Sequence, residues 1–336
     1  MKTAVVILNY NTRNYLEQFL PGLVASCEGL DAGVIVADNA SRDGSAEWVR
    51  EHFPDVPLIA LEENFGFTGG YNRALAQVEA EYFVLINSDI EVPPGWLAPL
   101  ISWMDSHPQC GACGPKLISY AQRDRFEYAG AAGGLVDKYG YPFCRGRVMQ
   151  KIETDHGQYD IPDGILWISG ACLMVRASLW RELGGLDDRF FAHMEEIDLC
   201  WRMQLRGWKV NLVPESAVYH IGGGTLPNES PFKLRLNYRN NLLLLENNLP
   251  ATFVAAGMQE RPARSRTRRR ICLRMLLDGC SALVYLVKGK GSFFRAVIQA
   301  HREYRRLRRP AAVPPHPTLP EGLYKGWIVP KGLFGK

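Results

Sequence analysis

Short apolar runs rich in β-branched residues alternate with helix-like segments over the first 90 residues of the chain. The four runs are Ala4 to Leu8, Val34 to Ala37, Leu58 to Leu61, and Tyr82 to Ile86. Runs of this length are typical of strands buried on both faces, and the segments between them space their apolar residues as helices do. This alternation predicts an α/β half built on a parallel sheet.

Polar residues directly follow three of these runs. They are Asn9 and Asn11, then Asp38 and Asn39, then Asn87 and Asp89. The carboxyl ends of strands in an open α/β sheet meet at one edge, and ligands bind there. Core packing does not readily explain three strands that deliver polar groups to one edge, so the sequence predicts a ligand site there.

Two loops at this edge carry residue types expected of a nucleotide site. Asp38 can accept hydrogen bonds from a base or a ribose, although Asp, Asn and Ser also cap helices. Glycines at 66, 69 and 70 precede a predicted helix, and they would let the backbone approach a phosphate closely. The loop lacks the Gly-Lys-Ser/Thr ending of a Walker loop, and an ordinary glycine-rich turn is the alternative interpretation.

Two further positions are candidates for holding a metal. The carboxylate of Asp89 can bind Mg²⁺ or Mn²⁺, which would neutralise charge on a departing diphosphate, although Asp89 could also be a turn residue. His220 precedes a glycine run, and a neutral histidine can ligate a metal. A lone histidine is more often structural, so His220 counts only together with the other motifs.

Three carboxylates, Glu195, Glu196 and Asp198, lie together at the start of a predicted helix. Acidic residues favour helix N-termini because of the macrodipole, which is a sufficient structural explanation. However, aromatic residues flank the cluster, and partial desolvation by them would raise the pKa of a carboxyl towards the range useful for a general base.

Behind a net charge of +4, the charges of the 336-residue chain are divided unevenly. Residues 261–309 contain 15 Lys and Arg but two acidic residues, so the rest of the chain is acidic. A loop rich in Arg and Pro is expected before this segment, and a proline-rich extended tail after it. Basic amphipathic segments are attracted to anionic membranes, and the alternative is a helical pair packed on the main domain.

The composition, 47% hydrophobic and 22% charged, is that of an ordinary globular protein. Eight scattered cysteines predict reduced thiols rather than a disulfide framework or a zinc site. The short apolar run at the start does not resemble an export signal, and the tail's run 276–287 is too short to span a bilayer. We therefore expect a cytoplasmic protein that lies peripherally on the inner face of the cell membrane.

Together these motifs resemble family-2 glycosyltransferases of the GT-A fold, in particular bacterial rhamnosyltransferase-like members that build surface polysaccharides. The resemblance covers roughly residues 3–250. Its motifs, in order, are Asn9-Tyr10-Asn11, Asp38-Asn39-Ala40-Ser41, the loop from Asn64 to Asn72, Asn87-Ser88-Asp89, Ser169-Gly170-Ala171, the helix from Glu195 to Arg202, and His220 before glycines. Seven motifs in this order are far more specific than any one of them.

The resemblance implies a role for each matching position. The implied nucleotide-binding residues are Asn9, Tyr10, Asn11, Asp38, Asn39, Ser41, Asn64, Gly66, Gly70, Asn72, Asn87 and Ser88. Asp89 matches the last acidic position of the metal-binding Asp-x-Asp motif, and His220 matches a position that completes the metal shell in some relatives. Contacts to the acceptor or donor sugar are implied for Trp167, Gly170, Ala171 and Arg202.

The sequence departs from the family pattern at two positions. Asn87 replaces the first Asp of Asp-x-Asp, which implies a weaker metal site with one carboxylate. Glu196 replaces the usual base Asp, which leaves open whether Glu196, Glu195 or Asp198 takes the proton.

The resemblance implies an inverting transfer of a sugar from a nucleotide-diphosphate donor, with Glu196 as the expected base. The donor could be dTDP-rhamnose, a UDP-hexose or GDP-mannose, and the acceptor a glycan or a polyprenyl-diphosphate-linked glycan in cell-envelope synthesis. Residues 1–250 would be catalytic (1–92 for the nucleotide, 93–250 for the acceptor), 251–310 membrane-associating and 311–336 a tail. A nucleotidyltransferase is the first alternative. A nucleic-acid-binding module ranks lower because it leaves the strand-end motifs unexplained, and we expect no nucleic acid partner.

Overall fold

The computed structural model describes residues 1–222 and 230–334. The predicted glycine run after His220 lies partly outside these residues, at Gly223 and Gly224. Within the described residues the strands are β1 (Thr3–Asn9), β2 (Ala32–Asp38), β3 (Leu58–Ala60), β4 (Tyr82–Ile86), β5 (Ile90–Glu91), β6 (Cys110–Ser119), β7 (Gly134–Asp137), β8 (Pro142–Cys144), β9 (Arg147–Val148), β10 (Lys151–Ile152), β11 (Cys172–Arg176), β12 (Lys209–His220) and β13 (Leu323–Tyr324).

The helices of the described residues connect and cover these strands. They are α1 (Arg13–Ala25), α2 (Ser45–His52), α3 (Gly66–Leu75), α4 (Leu97–Ser106), α5 (Ala177–Leu183), α6 (Glu195–Gln204), α7 (Pro231–Ala255), α8 (Glu260–Val287), α9 (Gly291–Leu307) and α10 (Ile328–Phe334). A single 3₁₀ turn, Asp188–Phe190, precedes α6.

Eight strands form the central sheet in the order β3-β2-β1-β4-β11-β6-β12-β5. The four strands predicted in the N-terminal half pair in parallel, and β11 then pairs antiparallel with both β4 and β6. The sheet is therefore mixed, and its parallel half carries the polar strand ends on one edge.

Alternate residues of the central strands enter two separate cores, which is why these runs are apolar throughout. Val5 and Ile7 of β1 pack with residues of α1 and α4, whereas Val6 packs on the side of α3, α6 and α7. Both faces of the parallel half are covered, as the sequence predicts.

A second sheet has the order β10-β9-β8-β7-β13. Its last strand comes from the proline-rich end of the chain, since Leu323 pairs with Val136 in parallel. The terminal segment is thus extended from residue 308 to β13 but ends in the short helix α10.

The predicted Arg- and Pro-rich loop before the basic segment is wrong. The arginines from Arg261 to Arg274 belong to α8, which begins at Glu260 and contains Pro262 in its first turn. Proline is tolerated there because the first N–H groups of a helix have no intrahelical acceptor. Residue 250 lies inside α7, so the predicted boundary at that residue falls within a continuous helix.

Helices α8 and α9 pack against α7, and both acidic residues of the basic segment are paired with arginines, Asp278 within α8 and Glu303 between α9 and α7. Asp278 accepts a hydrogen bond from Arg274 at 2.9 Å, and Glu303 contacts Arg235 at 3.1 Å and Arg239 at 3.3 Å. Among the described residues, none of the helices combines the length and the hydropathy needed to cross a bilayer.

Candidate active site

The ends of β1 and β2 form the centre of a closed polar network. Asn9 lies opposite Asp38 in the parallel register, and its amide donates to Asp38 at 2.8 Å and to the Ser41 hydroxyl at 3.0 Å. The backbone N–H of Ser41 donates to the other oxygen of Asp38 at 3.0 Å. The loop after β2 is therefore fixed by the strand ends themselves.

The glycines at 66, 69 and 70, which were predicted to precede a helix, instead form the first turns of α3, and Asn39 joins this helix start to the same network. The amide nitrogen of Asn39 donates to Asn64 and to the carbonyl of Gly66, both at 3.0 Å, and its oxygen accepts from the backbone of Phe65 at 3.1 Å. A Cβ at Gly70 would lie 2.8 Å from the Leu8 side chain, so glycine is needed for α3 to approach β1. Predicted nucleotide residues from three loops thus lie together.

Three of the predicted nucleotide residues, Tyr10, Asn11 and Asn72, lie beside this network or contact other parts of the molecule. Tyr10 is exposed beside the network, and Asn11, with a φ of 52°, accepts from the backbone of Arg42 at 2.7 Å. Asn72 instead binds the segment before α6, because its amide donates to the Leu186 carbonyl at 2.8 Å and to Asp188 at 2.7 Å. Asn72 therefore connects the nucleotide half to the acidic helix.

The third strand end brings the two predicted metal ligands together. The backbone of Asn87 donates to the Ala171 carbonyl at 2.9 Å, and the Ser88 hydroxyl lies 2.8 Å from that of Thr12. Antiparallel pairing of β5 with β12 places His220 opposite Ile90, and the Nε2 atom of His220 lies 3.2 Å from Oδ1 of buried Asp89.

Glu127, which sequence reasoning missed, completes this group. Its carboxylate is buried and lies 3.5 Å from Nδ1 of His220, on the ring edge opposite Asp89. Burial opposes protonation of the imidazole, but hydrogen bonds to Asp89 and Glu127 and their charges outweigh it and raise the pKa of His220 to about 10. Nothing in the spacing of Glu127 points to this contact, since it comes from the loop between β6 and β7.

The donor set suits a hard divalent cation that is held by few protein ligands. In residues 1–222 and 230–334 no cluster of three or more His, Cys, Asp or Glu is arranged to hold a metal alone. A carboxylate and an imidazole at 3.2 Å are nevertheless suitable partial ligands for Mg²⁺ or Mn²⁺, which commonly complete their shell with water and substrate phosphates.

The three carboxylates of α6 have different environments. Asp198 is fully buried and accepts hydrogen bonds from Arg202 at 2.7 Å, from Asn247 at 2.9 Å and from Asn248 at 2.8 Å. Glu195 is also buried, whereas Glu196 is partly exposed. Among the described residues, the Oε2 atoms of Glu195 and Glu196 have no hydrogen-bond partner.

Burial raises the pKa values of Glu195 and Glu196 above that of an exposed carboxyl. Desolvation raises the pKa of Glu196 to about 7, against backbone N–H groups, including that of Gly170, which favour the ionised form. Desolvation and the neighbouring Glu196 charge raise the pKa of Glu195 well above its usual value. At neutral pH, Glu196 can therefore exchange a proton, and burial makes the ionised form of Glu195 unfavourable.

The segment before α6 is wound in a sparsely populated conformation. Phe191, His193 and Met194 have φ angles of 63°, 73° and 72°, in the left-handed region that residues other than glycine rarely adopt. Such residues cost about 1–3 kcal/mol each, and they persist where surrounding contacts impose them. The strain lies directly before Glu195 and Glu196.

Two of the predicted sugar-contacting residues lie at the site and two lie behind it. A Cβ at Gly170 would be 3.5 Å from Cβ of Glu196, and Ala171 is bonded to Asn87. Trp167 is buried, with its indole N–H 3.2 Å from the Leu135 carbonyl. The Arg202 guanidinium binds Asp198 and the carbonyls of Leu183 and Gly185.

Comparison with known sequences places the N-terminal half in a family. The protein-family model described as "Glycosyl transferase family 2" matches residues 4–184. N-acetylglucosaminyl-diphospho-decaprenol L-rhamnosyltransferase of Mycobacterium tuberculosis is 27% identical over 264 residues, which cover 72% of this chain and 83% of that protein. Rhamnosyltransferase WbbL of Escherichia coli is 24% identical over 226 residues, with coverages of 64% and 82%.

Solved structures share the fold at low identity. The mannosyltransferase PcManGT from Pyrobaculum calidifontis, in complex with GDP-Man and Mn²⁺, superposes with a TM-score of 0.54 at 15% identity, covering 92% of this chain and 88% of that one. S. aureus TarS 1-349 in complex with UDP-GlcNAc gives 0.51 at 16% identity, with coverages of 91% and 92%. The predicted GT-A fold is confirmed.

Proposed function

The chain belongs to glycosyl transferase family 2, and on that premise we propose that it transfers a sugar with inversion from a nucleotide diphosphate to a polyprenyl-diphosphate-linked glycan. It is a rhamnosyltransferase-like glycosyltransferase of glycan synthesis. Because two relatives are named rhamnosyltransferases, dTDP-rhamnose is the first donor that we propose. The observation that carries the proposal is the position of Glu196, which lies against Gly170 beside the strand end at Asn87 and has a pKa of about 7.

We propose Glu196 as the base in preference to its neighbours. Asp198 is a poor candidate because Arg202 and two asparagines occupy its oxygens. Glu195 is buried, and desolvation together with the neighbouring Glu196 charge raises its pKa and disfavours its ionised form. Glu196 is less buried than Glu195 and Asp198, has a carboxyl oxygen without a hydrogen-bond partner among the described residues, and lies next to Gly170 of the proposed sugar subsite.

The reaction that follows is a single displacement. Glu196 takes the proton of the acceptor hydroxyl, whose oxygen forms a bond to the anomeric carbon as the bond to the diphosphate oxygen breaks. The nucleoside diphosphate leaves from the opposite face. The network of Asn9, Asp38 and Ser41 would hold the base and ribose, and the glycine-rich start of α3 would approach the phosphates.

Asp89 and His220 are the residues that we propose to hold a divalent metal. The structure of the mannosyltransferase, which contains Mn²⁺, supports a metal of this kind. When bound, the ion would stabilise the negative charge of the leaving diphosphate.

A transfer assay tests the proposed function. The purified protein is incubated with Mn²⁺, labelled dTDP-rhamnose, UDP-hexoses or GDP-mannose, and polyprenyl-diphosphate-linked N-acetylglucosamine. We expect a labelled lipid-linked product from one donor, and loss of that product on addition of EDTA. Turnover of a nucleoside triphosphate without sugar transfer would instead indicate a nucleotidyltransferase.

We further propose a division of labour along the chain. Residues 1–250 would carry the reaction, with 1–92 binding the nucleotide and 93–250 the acceptor, while 251–310 would contact a membrane and 311–336 form a tail. The site would then face a lipid-linked acceptor on the cytoplasmic surface of the cell membrane.

The surface of α8 supports the membrane proposal. Its C-terminal half exposes Leu276, Leu283, Val284, Leu286 and Val287, the last of them 89% exposed. The acidic residues of the surrounding basic segment, Asp278 and Glu303, are neutralised by arginines. An exposed apolar ridge in a basic surface suits an interface with anionic lipid.

Vesicle co-sedimentation tests this surface. We expect binding to vesicles containing phosphatidylglycerol, weaker binding to pure phosphatidylcholine, and loss of binding in a Leu283→Asp, Val287→Asp double variant. Leu319→Asp, at an exposed leucine outside α8, is the matched control and should bind like the wild type. Equal binding with and without anionic lipid would contradict the electrostatic part, and unchanged binding of the double variant would contradict the assigned ridge.

A further inference from the structure

We infer that Asn240 of α7 is a positioning residue for the catalytic base, because its buried amide holds the strained segment 190–194 that leads into α6, the helix that carries Glu196. This inference rests on the proposed function, since it assigns a role towards the base named there. Asn240 lies far along the chain from α6 and was not among the predicted site residues.

The amide of Asn240 reaches three carbonyls of the segment. Its nitrogen lies 2.9 Å from the carbonyl oxygen of Phe190, 2.7 Å from that of Ala192 and 2.7 Å from that of His193. The side chain is fully buried. Because the amide has two N–H groups, at least one of them is shared between two of these three carbonyls.

Arg239 fixes the orientation of this amide. Its Nε donates to the Asn240 oxygen at 2.9 Å, and its Nη2 donates to the Phe190 carbonyl at 2.7 Å. With its oxygen committed to a guanidinium, the Asn240 side chain must direct its nitrogen towards the segment.

The opposite side of the segment is held by α3. The backbone N–H groups of Phe67 and Thr68 donate to the Phe191 carbonyl at 2.7 and 3.1 Å. The left-handed residues therefore lie between two sets of donors, one from each half of the molecule. The Met194 carbonyl then accepts from the backbone of Asp198 at 3.0 Å, so the end of the segment is the first turn of α6.

The chemistry of position 240 is specific to an amide. Aspartate has the same size, but it would present a second oxygen to three carbonyl oxygens instead of a donor. Alanine would remove the donor, so the three buried carbonyls would lose the hydrogen bonds that Asn240 donates. In either variant we expect the segment to relax and Glu196 to move from its position, while the nucleotide network stays intact.

The test compares Asn240→Ala and Asn240→Asp with Asn241→Ala. Asn241 is the next residue, is equally buried and donates one hydrogen bond, to the Gly140 carbonyl, away from the segment. We expect the Asn240 variants to lose roughly 10²-fold in kcat, as misplaced catalytic groups do, with donor KM within about twofold of wild type. Asn241→Ala should lower the melting temperature comparably and keep kcat within about threefold.

A pH profile adds a measurement that a general loss of stability would not change. Relaxation of the segment alters the surroundings of Glu196, so the acid limb of the kcat profile should shift in Asn240→Ala and stay fixed in Asn241→Ala. If Asn240→Ala does not fold, Asn240→Ser, which keeps one short donor, is measured in the same way. Equal kcat losses in the Asn240 and Asn241 variants, with unshifted profiles, would overturn the inference. A wild-type protein that transfers no sugar would instead overturn the proposed function.

Discussion

The two edges of the candidate site are built in opposite ways. At the nucleotide edge, the polar side chains of Asn9, Asp38, Asn39 and Ser41 bond mainly to one another and to nearby backbone. At the α6 edge, Glu196 has an oxygen without a partner among the described residues and follows three residues with positive φ.

This difference matches the different demands of binding and of proton transfer. A preorganised network loses little freedom when a nucleotide binds, so its groups can be satisfied in advance. A general base needs a lone pair that is free and a pKa near the working pH, which burial without compensation supplies. The molecule therefore places satisfied groups where it binds and unsatisfied groups where it reacts.

Glu196→Gln should have the largest effect and should be confined to the reactive edge. We expect transfer to fall by roughly 10²–10⁴-fold, because glutamine cannot take the proton, while nucleotide affinity stays unchanged. Radiometric transfer and calorimetric titration of the nucleotide measure the two quantities. Glu195→Gln is the control and should keep most activity, so the reverse order of losses would move the base to Glu195.

The same variant should be more stable than wild type at high pH. The folded protein binds the Glu196 proton more tightly than the unfolded chain, since its pKa is about 7 instead of 4.5, so its contribution to stability is lost as the pH rises between these values. Glutamine removes that loss. The gain above pH 7 should be about 1–2 kcal/mol in denaturant titrations, reduced by the partial exposure of the side chain.

Gly66→Ala should affect both edges, because Gly66 is where they touch. Its φ is 70°, and a Cβ would lie 2.4 Å from the Phe191 ring and 2.7 Å from the Phe191 carbonyl oxygen. We expect roughly tenfold to hundredfold losses in kcat together with weaker donor binding. Gly164→Ala is the control, because its φ of 79° imposes the same backbone strain but no atom lies within 4 Å of the new Cβ. It should leave kcat and donor binding unchanged. Similar kinetics in the two variants would show that the edges are not coupled there.

Asp38→Asn should have the smallest effect and should be confined to the nucleotide edge. Loss of the carboxylate should weaken donor binding about tenfold, or about 1.4 kcal/mol, with kcat within about threefold of wild type. Donor KM and nucleotide titrations provide the measurement. A fall in kcat without a change in donor KM would show that the edges do not divide binding from chemistry.

The nucleotide edge could be predicted from the sequence because its order is local. Asn9 and Asp38 end β1 and β2, and Asn87 follows β4; a continuous apolar run identifies each strand, and parallel pairing then brings the strand ends together. The α8 boundary was predicted wrongly for a local reason too, since Pro262 suggests a loop but is tolerated in a first turn.

The α6 edge could be predicted only in part because distant contacts shape it. The acidic cluster is visible in the sequence, yet the choice among its carboxylates depends on burial and on Asn247 and Asn248 from α7. Glu127 and Asn240 give no signal in their own neighbourhood. Their roles come from contacts with His220 and with the segment before α6, which strand and helix periods do not encode.

The most direct test of the separation between a binding edge and a reactive edge is the pH dependence of sugar transfer by the wild-type protein. The transfer rate is measured at saturating donor, and nucleotide affinity is measured over the same pH range. Glu196 must be ionised to act, so kcat should rise tenfold per pH unit below about 7 and level off above it, while nucleotide affinity changes little. A kcat that stays constant from pH 5.5 to about 8.5, or that follows nucleotide affinity, would contradict the assignment of the base to the strained edge.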